Sequence, residues 1–322
     1  MMTLKSLFEK NKNIIINTDI DGFLSGIILQ RYFNCKIVGF SNSWDCVWID
    51  QEYEKSTKNA LTDPIYIDLY VAHPSVICIE QHIIGYNDSH NKHIGSMGTK
   101  INPNIMRSNR TFLGDYFHKY PFGTIHFIIA LMEKEGIQVK LPPLNSIPTQ
   151  KTLDYHLTFG DIILRADDAL FSSLGKYKSN TEEWWSWLLC LSKNAVSITS
   201  MINYIRNADP NQSFNVKKNT GIYFKDEFNC SGSDGAFNII TDNNGNLLSN
   251  ILNYRDEICQ MLDMTLDLPM KYITHRGVAA TKSFKGTSLE LDTSNNPNLY
   301  SYAFIFGPKS MKHNFSFTMD MH

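Results

Sequence analysis

A chain of 322 residues is long enough to bury a sizeable core and to divide into two domains. With 43% hydrophobic and 19% charged residues it has the composition of a globular protein, which excludes disorder as its main state. The formal net charge of -2 provides no whole-molecule field to gather nucleic acid, so an anionic substrate must be held by a local site and long polymers are disfavoured.

The chain opens with "MMTLKSLFEKNKN", which has no apolar run of signal-peptide length, and no segment reaches the ~18 apolar residues of a membrane helix. A cytoplasmic protein without membrane partners is therefore expected. "NIIIN" reads as a buried strand, "SGIILQRYF" as a helix opened by Ser25, and "CKIVGF", "DPIYIDLY" and "SVICIEQH" as further strands. Strands alternating with helices predict an α/β fold, a mostly parallel sheet flanked by helices with ligands at the strands' carboxyl ends. "NDSHNKHIGSMGTKINPN" reads as a loop and "FGTIHFIIALMEKEG" as a helix closed by Gly136.

Asp161 follows in "DYHLTFGDIILRADDALF", and a helical segment runs through "TEEWWSWLLCLSKNAVSITSMINYI". Its Trp184, Trp185 and Trp187 serve either to pack that helix or to stack on bases. The polar, proline-bearing "NADPNQSFNVKKN" marks a boundary between a domain of residues 1–205 and a smaller α+β domain of residues 206–322. The second holds strand-like "TGIYFKDEF", a helix in "LLSNILNYRDEICQMLDMTL", and strand-like "MKYITHRGVAATKSF", "TSLELD", "YSYAFIF" and "NFSFTMD". Six cysteines without CxxC pairing point to neither a zinc ribbon nor a disulfide framework.

Acidic and imidazole groups recur at strand exits: Asp19 and Asp21 after "NIIIN", Asp68 after "IYI", Glu80, Gln81 and His82 after "VICI", and Asp161 later. On an extended chain Asp19 and Asp21 share a face, where a hard divalent cation would relieve their repulsion. A parallel sheet would bring all of these groups together from distant segments.

In order and spacing these segments resemble the DHH phosphoesterase family, which includes RecJ-type exonucleases, oligoribonucleases and cyclic-dinucleotide phosphodiesterases. The family's DxDxDG falls on Asn17-Thr18-Asp19-Ile20-Asp21-Gly22, its lone Asp on Asp68, its DHH on Glu80-Gln81-His82, a downstream NP on Asn102-Pro103, and its last Asp on Asp161. The resemblance covers residues 13–170 and implies a metal-dependent hydrolase of phosphodiester or phosphoanhydride bonds in nucleotides or short single-stranded oligonucleotides. It implies two Mn²⁺ or Mg²⁺ ions held by Asp19, Asp21, Asp68, Gln81 and Asp161, with Asp68 bridging and His82 beside the substrate phosphate. In the second domain it points to His275 and Arg276 as substrate-binding residues, with Lys282 and Lys285 completing a positive face towards the cleft. Three departures, Asn17 for an acid, Gln81 for an imidazole and Glu80 for Asp, keep open a catalytically degraded, nucleic-acid-binding scaffold. Hydrophobic-DxDG also fits HAD-type phosphatases, with Asp19 as nucleophile, although that pattern gives Asp68 and His82 no role.

Overall fold

The computed structural model describes residues 3–107, 110–174, 178–283, 291, 293–305 and 314–322. The strands are β1 (Asn13–Asn17), β2 (Lys36–Ser41), β3 (Cys46–Asp50), β4 (Ile65–Ile67), β5 (Cys78–Ile79), β6 (Lys100–Ile101), β7 (Tyr272–Arg276), β8 (Val278–Ser283), β9 (Leu299–Ile305) and β10 (Asn314–Met319). Seven form one sheet in the order β6-β5-β4-β1-β2-β3-β7. The pairs from β6 to β2 are parallel, while β3 lies antiparallel to both β2 and β7. The expected α/β architecture is thus present, and a separate three-stranded antiparallel sheet, β8-β10-β9, stands beside it.

The central strands are apolar on both faces: Ile14, Ile15, Ile16, Ile65, Tyr66 and Ile67 have no solvent exposure. Parallel strands covered on both sides need such continuous runs, because each face meets its own layer. Ile14, Ile16, Ile65 and Ile67 join the layer made by the helices Ile20–Phe33 and Thr124–Lys134, and Ile15 and Tyr66 join a second cluster on the other face.

Several local expectations are corrected. The helix expected in "SGIILQRYF" begins at Ile20 rather than Ser25, because the Asp19 side chain accepts the Gly22 N–H and caps it. "NDSHNKHIG" forms the helix Asp88–Ser96, capped by Asn87, and Lys100–Ile101 adds the edge strand β6. "TGIYFKDEF" belongs to the helix Pro210–Phe228, which Asp209 caps and Pro210 opens, so its apolar residues serve a helical face. The tryptophan segment is split into the helices Lys178–Leu191 and Val196–Asn207. "TSLELD" lies largely outside the described residues.

The expected boundary at 205/206 does not coincide with a break in the core. Val216, Tyr223, Phe224, Tyr254 and Ile258 share one hydrophobic cluster with Leu4, Phe23 and Ile128, and β7 extends the large sheet. What stands beside the main body is the small sheet, which packs Leu299, Tyr302 and Phe315 on Ala72, Ile83, Tyr86 and Phe112. Tyr302 donates its hydroxyl to the Ile84 carbonyl at 2.8 Å, and the Ala72 N–H donates to the Tyr300 carbonyl at 2.7 Å. The small sheet therefore rests on the segments that leave β4 and β5. Among the described residues no helix is long and apolar enough to cross a membrane.

Candidate functional site

The chain leaves β1 at Asn17 and turns at once into the helix Ile20–Phe33. The turn is tight enough that a Cβ on Gly22 would stand 2.2 Å from the Asn17 carbonyl oxygen, so only glycine fits there. Asp19 and Asp21 consequently occupy the cap and first turn of a helix, not one face of a strand. Asp21 is buried and spans to the next helix, where its two oxygens accept the backbone N–H groups of Thr124 (2.6 Å) and Ile125 (2.8 Å). A carboxylate at a helix N-terminus meets unpaired donors and the positive end of the dipole. Gly123 permits the approach, since a Cβ there would come within 2.7 Å of an Asp21 oxygen.

Asp68 lies one residue past β4, buried, with φ of 59°. Left-handed backbone is uncommon for a residue with a side chain, and such strain concentrates where a side chain must be aimed. One Asp68 oxygen accepts the Thr124 hydroxyl at 2.8 Å and the other accepts the Asn17 amide nitrogen at 3.0 Å. That nitrogen also donates to Asp19 at 2.8 Å, while the Asn17 side-chain oxygen accepts the Thr18 N–H at 2.8 Å. The carboxamide is thereby oriented with its NH₂ between two carboxylates.

Glu80 follows β5 and is buried. It accepts the His82 N–H at 2.7 Å on one oxygen and the Asn102 amide on the other. Asn102 also donates to the His82 carbonyl at 2.7 Å and caps the helix Pro103–Met106, and Asn104 donates to the Gln81 carbonyl at 2.6 Å. The "NPN" segment therefore clamps the Glu80-Gln81-His82 turn. His82 leaves this clamp with its side chain about half exposed (49%), and its Nε2 lies 3.7 Å from an Asp167 oxygen. Gln81 has no solvent exposure, and its side-chain oxygen has no hydrogen-bond partner.

Asp161 does not join this group. It closes a capping box with Thr158 at the start of the helix Phe159–Ile163 and accepts the Tyr204 hydroxyl at 2.8 Å. Asp167 stands closer to it: its carboxylate lies 3.7 Å from His82, its charge acts on Asp19, Asp21, Asp68 and Glu80, and its φ is 53°. Asp167 also follows an apolar run and a small residue in "IILRA", with Arg165 between them, so a looser form of the signal that selected Asp161 points to it. Asp234 is a further carboxylate bearing on Asp19, brought there by a loop whose backbone accepts the Ile20 N–H at 3.1 Å. No spacing in the sequence marks Asp234, because it arrives from beyond residue 230 by tertiary packing.

Burial pushes Asp19, Asp21 and Asp68 well above the usual carboxylate range, and neighbouring carboxylates push them further. Burial also raises Glu80, to about 8. The donors are all oxygen, the set preferred by hard cations such as Mg²⁺ and Mn²⁺, and the buried, unpartnered Gln81 oxygen belongs to the same class. In its chemistry this set fits the cation that the DHH resemblance implies. Among the described residues, no three His, Cys, Asp or Glu side chains form a ready-made metal-ligand group.

A cavity of about 140 Å³ opens beside this centre between the two sheets. Asp68, Glu80 and His82 line it from the large sheet, and Trp44, Tyr70, Tyr302 and Phe317 supply aromatic walls. Among the described residues its lining contains no lysine or arginine. His275 and Arg276 are on β7, three strands from β1, or roughly 14 Å at the usual strand spacing. His275 pairs with Glu54 at 3.2 Å, and Arg276 contacts Cys46 and Asp45, so neither lines the cavity. Lys282 lies on β8, and Lys285 falls outside the described residues. Trp184 and Trp185 are buried in the core, which assigns them to packing. No protein-family model, curated protein or solved structure matches this chain.

Proposed function

We propose that the protein is a cation-dependent phosphoesterase acting on nucleotides or short single-stranded oligonucleotides. The observation that carries this reading is that Asn17 joins Asp19 to Asp68 and Thr124 joins Asp68 to Asp21, beside the cavity that Asp68 and His82 line, with Asp167 3.7 Å from His82. Buried like charges cost stability, and such an arrangement is retained where a site needs it. An anionic substrate would be repelled from this centre unless a divalent cation offset the carboxylates.

Asp19, Asp21, Asp68, Asp167 and the Gln81 oxygen are the groups that would hold Mn²⁺ or Mg²⁺. The cation, when bound, lowers the pKa of a water and neutralises charge on the departing oxygen. His82, fixed at its backbone by Glu80 and Asn102, presents its imidazole to the substrate phosphate as a hydrogen-bond donor. Thr124 positions Asp68 through its hydroxyl, and the start of its helix positions Asp21. The aromatic walls of the cavity suit a nucleobase or sugar.

A second reading, a nucleotide-binding protein without chemistry, draws on Asn17, whose NH₂ stands between Asp19 and Asp68 where an acid would otherwise face a cation. A HAD-type phosphatase with Asp19 as nucleophile gives the β4 and β5 residues no part and is the weaker account. Incubating the protein with Mn²⁺ or Mg²⁺ and a panel of dinucleotides, cyclic dinucleotides, nucleotide phosphates and pyrophosphate decides between them. Cation-dependent release of mononucleotide or phosphate, lost in Asp68→Asn, is expected. Binding of a panel member without turnover under either cation would replace the enzyme reading by the binding one.

A further inference from the structure

We propose that the helix Pro210–Phe228 carries a binding track for the outer part of a single-stranded oligonucleotide whose end enters the cavity, with Lys217, Lys218 and Lys225 meeting its phosphates and Phe214 stacking on a base. The inference rests on the phosphoesterase reading above and deepens it, naming oligonucleotides rather than free mononucleotides as the ligand.

The cavity itself accommodates little of such a chain. At about 140 Å³ it has room for roughly one ring, since an apolar cavity of about 150 Å³ takes a guest the size of benzene. The remainder must leave past the cavity's exposed residues, and His82 marks an exit: its imidazole is half exposed and stands 3.7 Å from Asp167. Asp167 lines a cleft of about 320 Å³ together with Asp168, Lys119 and Phe171. A second cleft, of about 490 Å³, begins at Lys217, whose ammonium pairs with Asp168 and lies 4.8 Å from the centre of the Phe171 ring. The two clefts are thus neighbours, and Asp167 connects them to the cavity.

The second cleft runs along an unpartnered helix face. Phe214, Lys218, Ile222 and Lys225 follow one another at intervals of four, four and three residues, so they share a face, and all four are exposed. The opposite face, with Val216, Thr220, Tyr223 and Phe224, is buried. Among the described residues the two clefts carry four lysines against three aspartates, and Arg165 as well as Lys217 pairs with Asp168. The local surplus is cationic although the whole chain carries -2. Lysines set beside a phenyl ring that is 63% exposed match a ligand made of phosphates and bases, which needs both ion pairing and a stacking surface.

The test is fluorescence anisotropy of an end-labelled oligothymidylate of about eight nucleotides, and of the labelled dinucleotide, with the full chain in chelator so that nothing is turned over. The longer probe should bind at least tenfold more tightly. Lys218→Gln with Lys225→Gln should weaken its binding about tenfold and reduce the slope of log affinity against log salt by about 1.4, the value for two lost phosphate contacts to a single strand. Phe214→Ala should weaken it about tenfold with the slope unchanged. All three side chains are exposed, so the variants should fold. Equal binding of the two probes, unchanged affinity in the lysine double variant, or equally tight binding of polyglutamate that Phe214→Ala does not weaken would overturn the inference. Cation-dependent turnover is measured separately, so a failure of the phosphoesterase reading shows there and not in this titration.

Discussion

Replacing Asp68 by Asn should stabilise the cation-free protein, although Asp68 is a buried, hydrogen-bonded residue. The accepting oxygens of Asp19 and Asp68 lie 2.8 and 3.0 Å from the same Asn17 nitrogen, which limits their separation to about 5.8 Å. Two full charges at that distance repel by roughly 3 kcal/mol at an effective dielectric constant near 20. The bridging amide and the raised pKa of both carboxylates reduce this, so a net gain of about 1–2 kcal/mol is expected on removing one charge. The hydrogen bonds survive, because the new side chain can offer its oxygen to Asn17 and its nitrogen to the Thr124 hydroxyl, which also accepts. Asparagine tolerates the left-handed backbone at this position as well as aspartate does. Thermal unfolding in chelator at pH 7 should place the variant's midpoint about 2–3 °C above the wild type's, given the entropy of unfolding of a chain this long. The pH dependence has a definite sign. A carboxylate whose folded-state pKa is raised favours folding fully only below its unfolded pKa, and the benefit is lost as pH rises through the folded value. The advantage of Asp68→Asn should therefore grow from pH 4 upwards and vanish towards acid. Millimolar Mn²⁺ should reverse the order by raising the wild-type midpoint alone. A variant less stable than the wild type in chelator at pH 7 would refute the claim that these carboxylates repel.

Asp161→Asn and Asp167→Asn separate a helix cap from a site residue: the first should lose about 1 kcal/mol of stability with Mn²⁺ affinity unchanged, the second should keep its stability and lose affinity at least tenfold by titration. Asn102→Ala removes the donor shared by Glu80 and the His82 carbonyl together with a helix cap, so chemical denaturation should show a loss of about 2–4 kcal/mol.

The sequence by itself determined the parallel strands β1, β2, β4 and β5 and the residues at the exits of β1, β4 and β5, but neither β3 nor the edge strand β6. "NIIIN" and "IYI" are apolar without alternation because both faces of a parallel sheet are covered, and that pattern is local. Asn17, Asp68 and Glu80 then had to lie where those strands end. Tertiary structure decided the rest. Asp161 and Asp167 follow similar local strings, and only the packing of the helix Phe159–Ile163 sends one to Tyr204 and the other to the centre. "TGIYFKDEF" carries strand-like residues, yet an Asp209 cap ahead of Pro210 and burial against Tyr254 make it helical. His275 and Arg276 looked like a phosphate-binding turn, but pairing of β7 with β3 carried them to the far edge of the large sheet. The amide bridge of Asn17 was not legible at all, since it depends on Asp68 arriving from 51 residues away. Local pattern fixes which segments are strands, whereas partners so distant in the chain meet only once the whole core has closed.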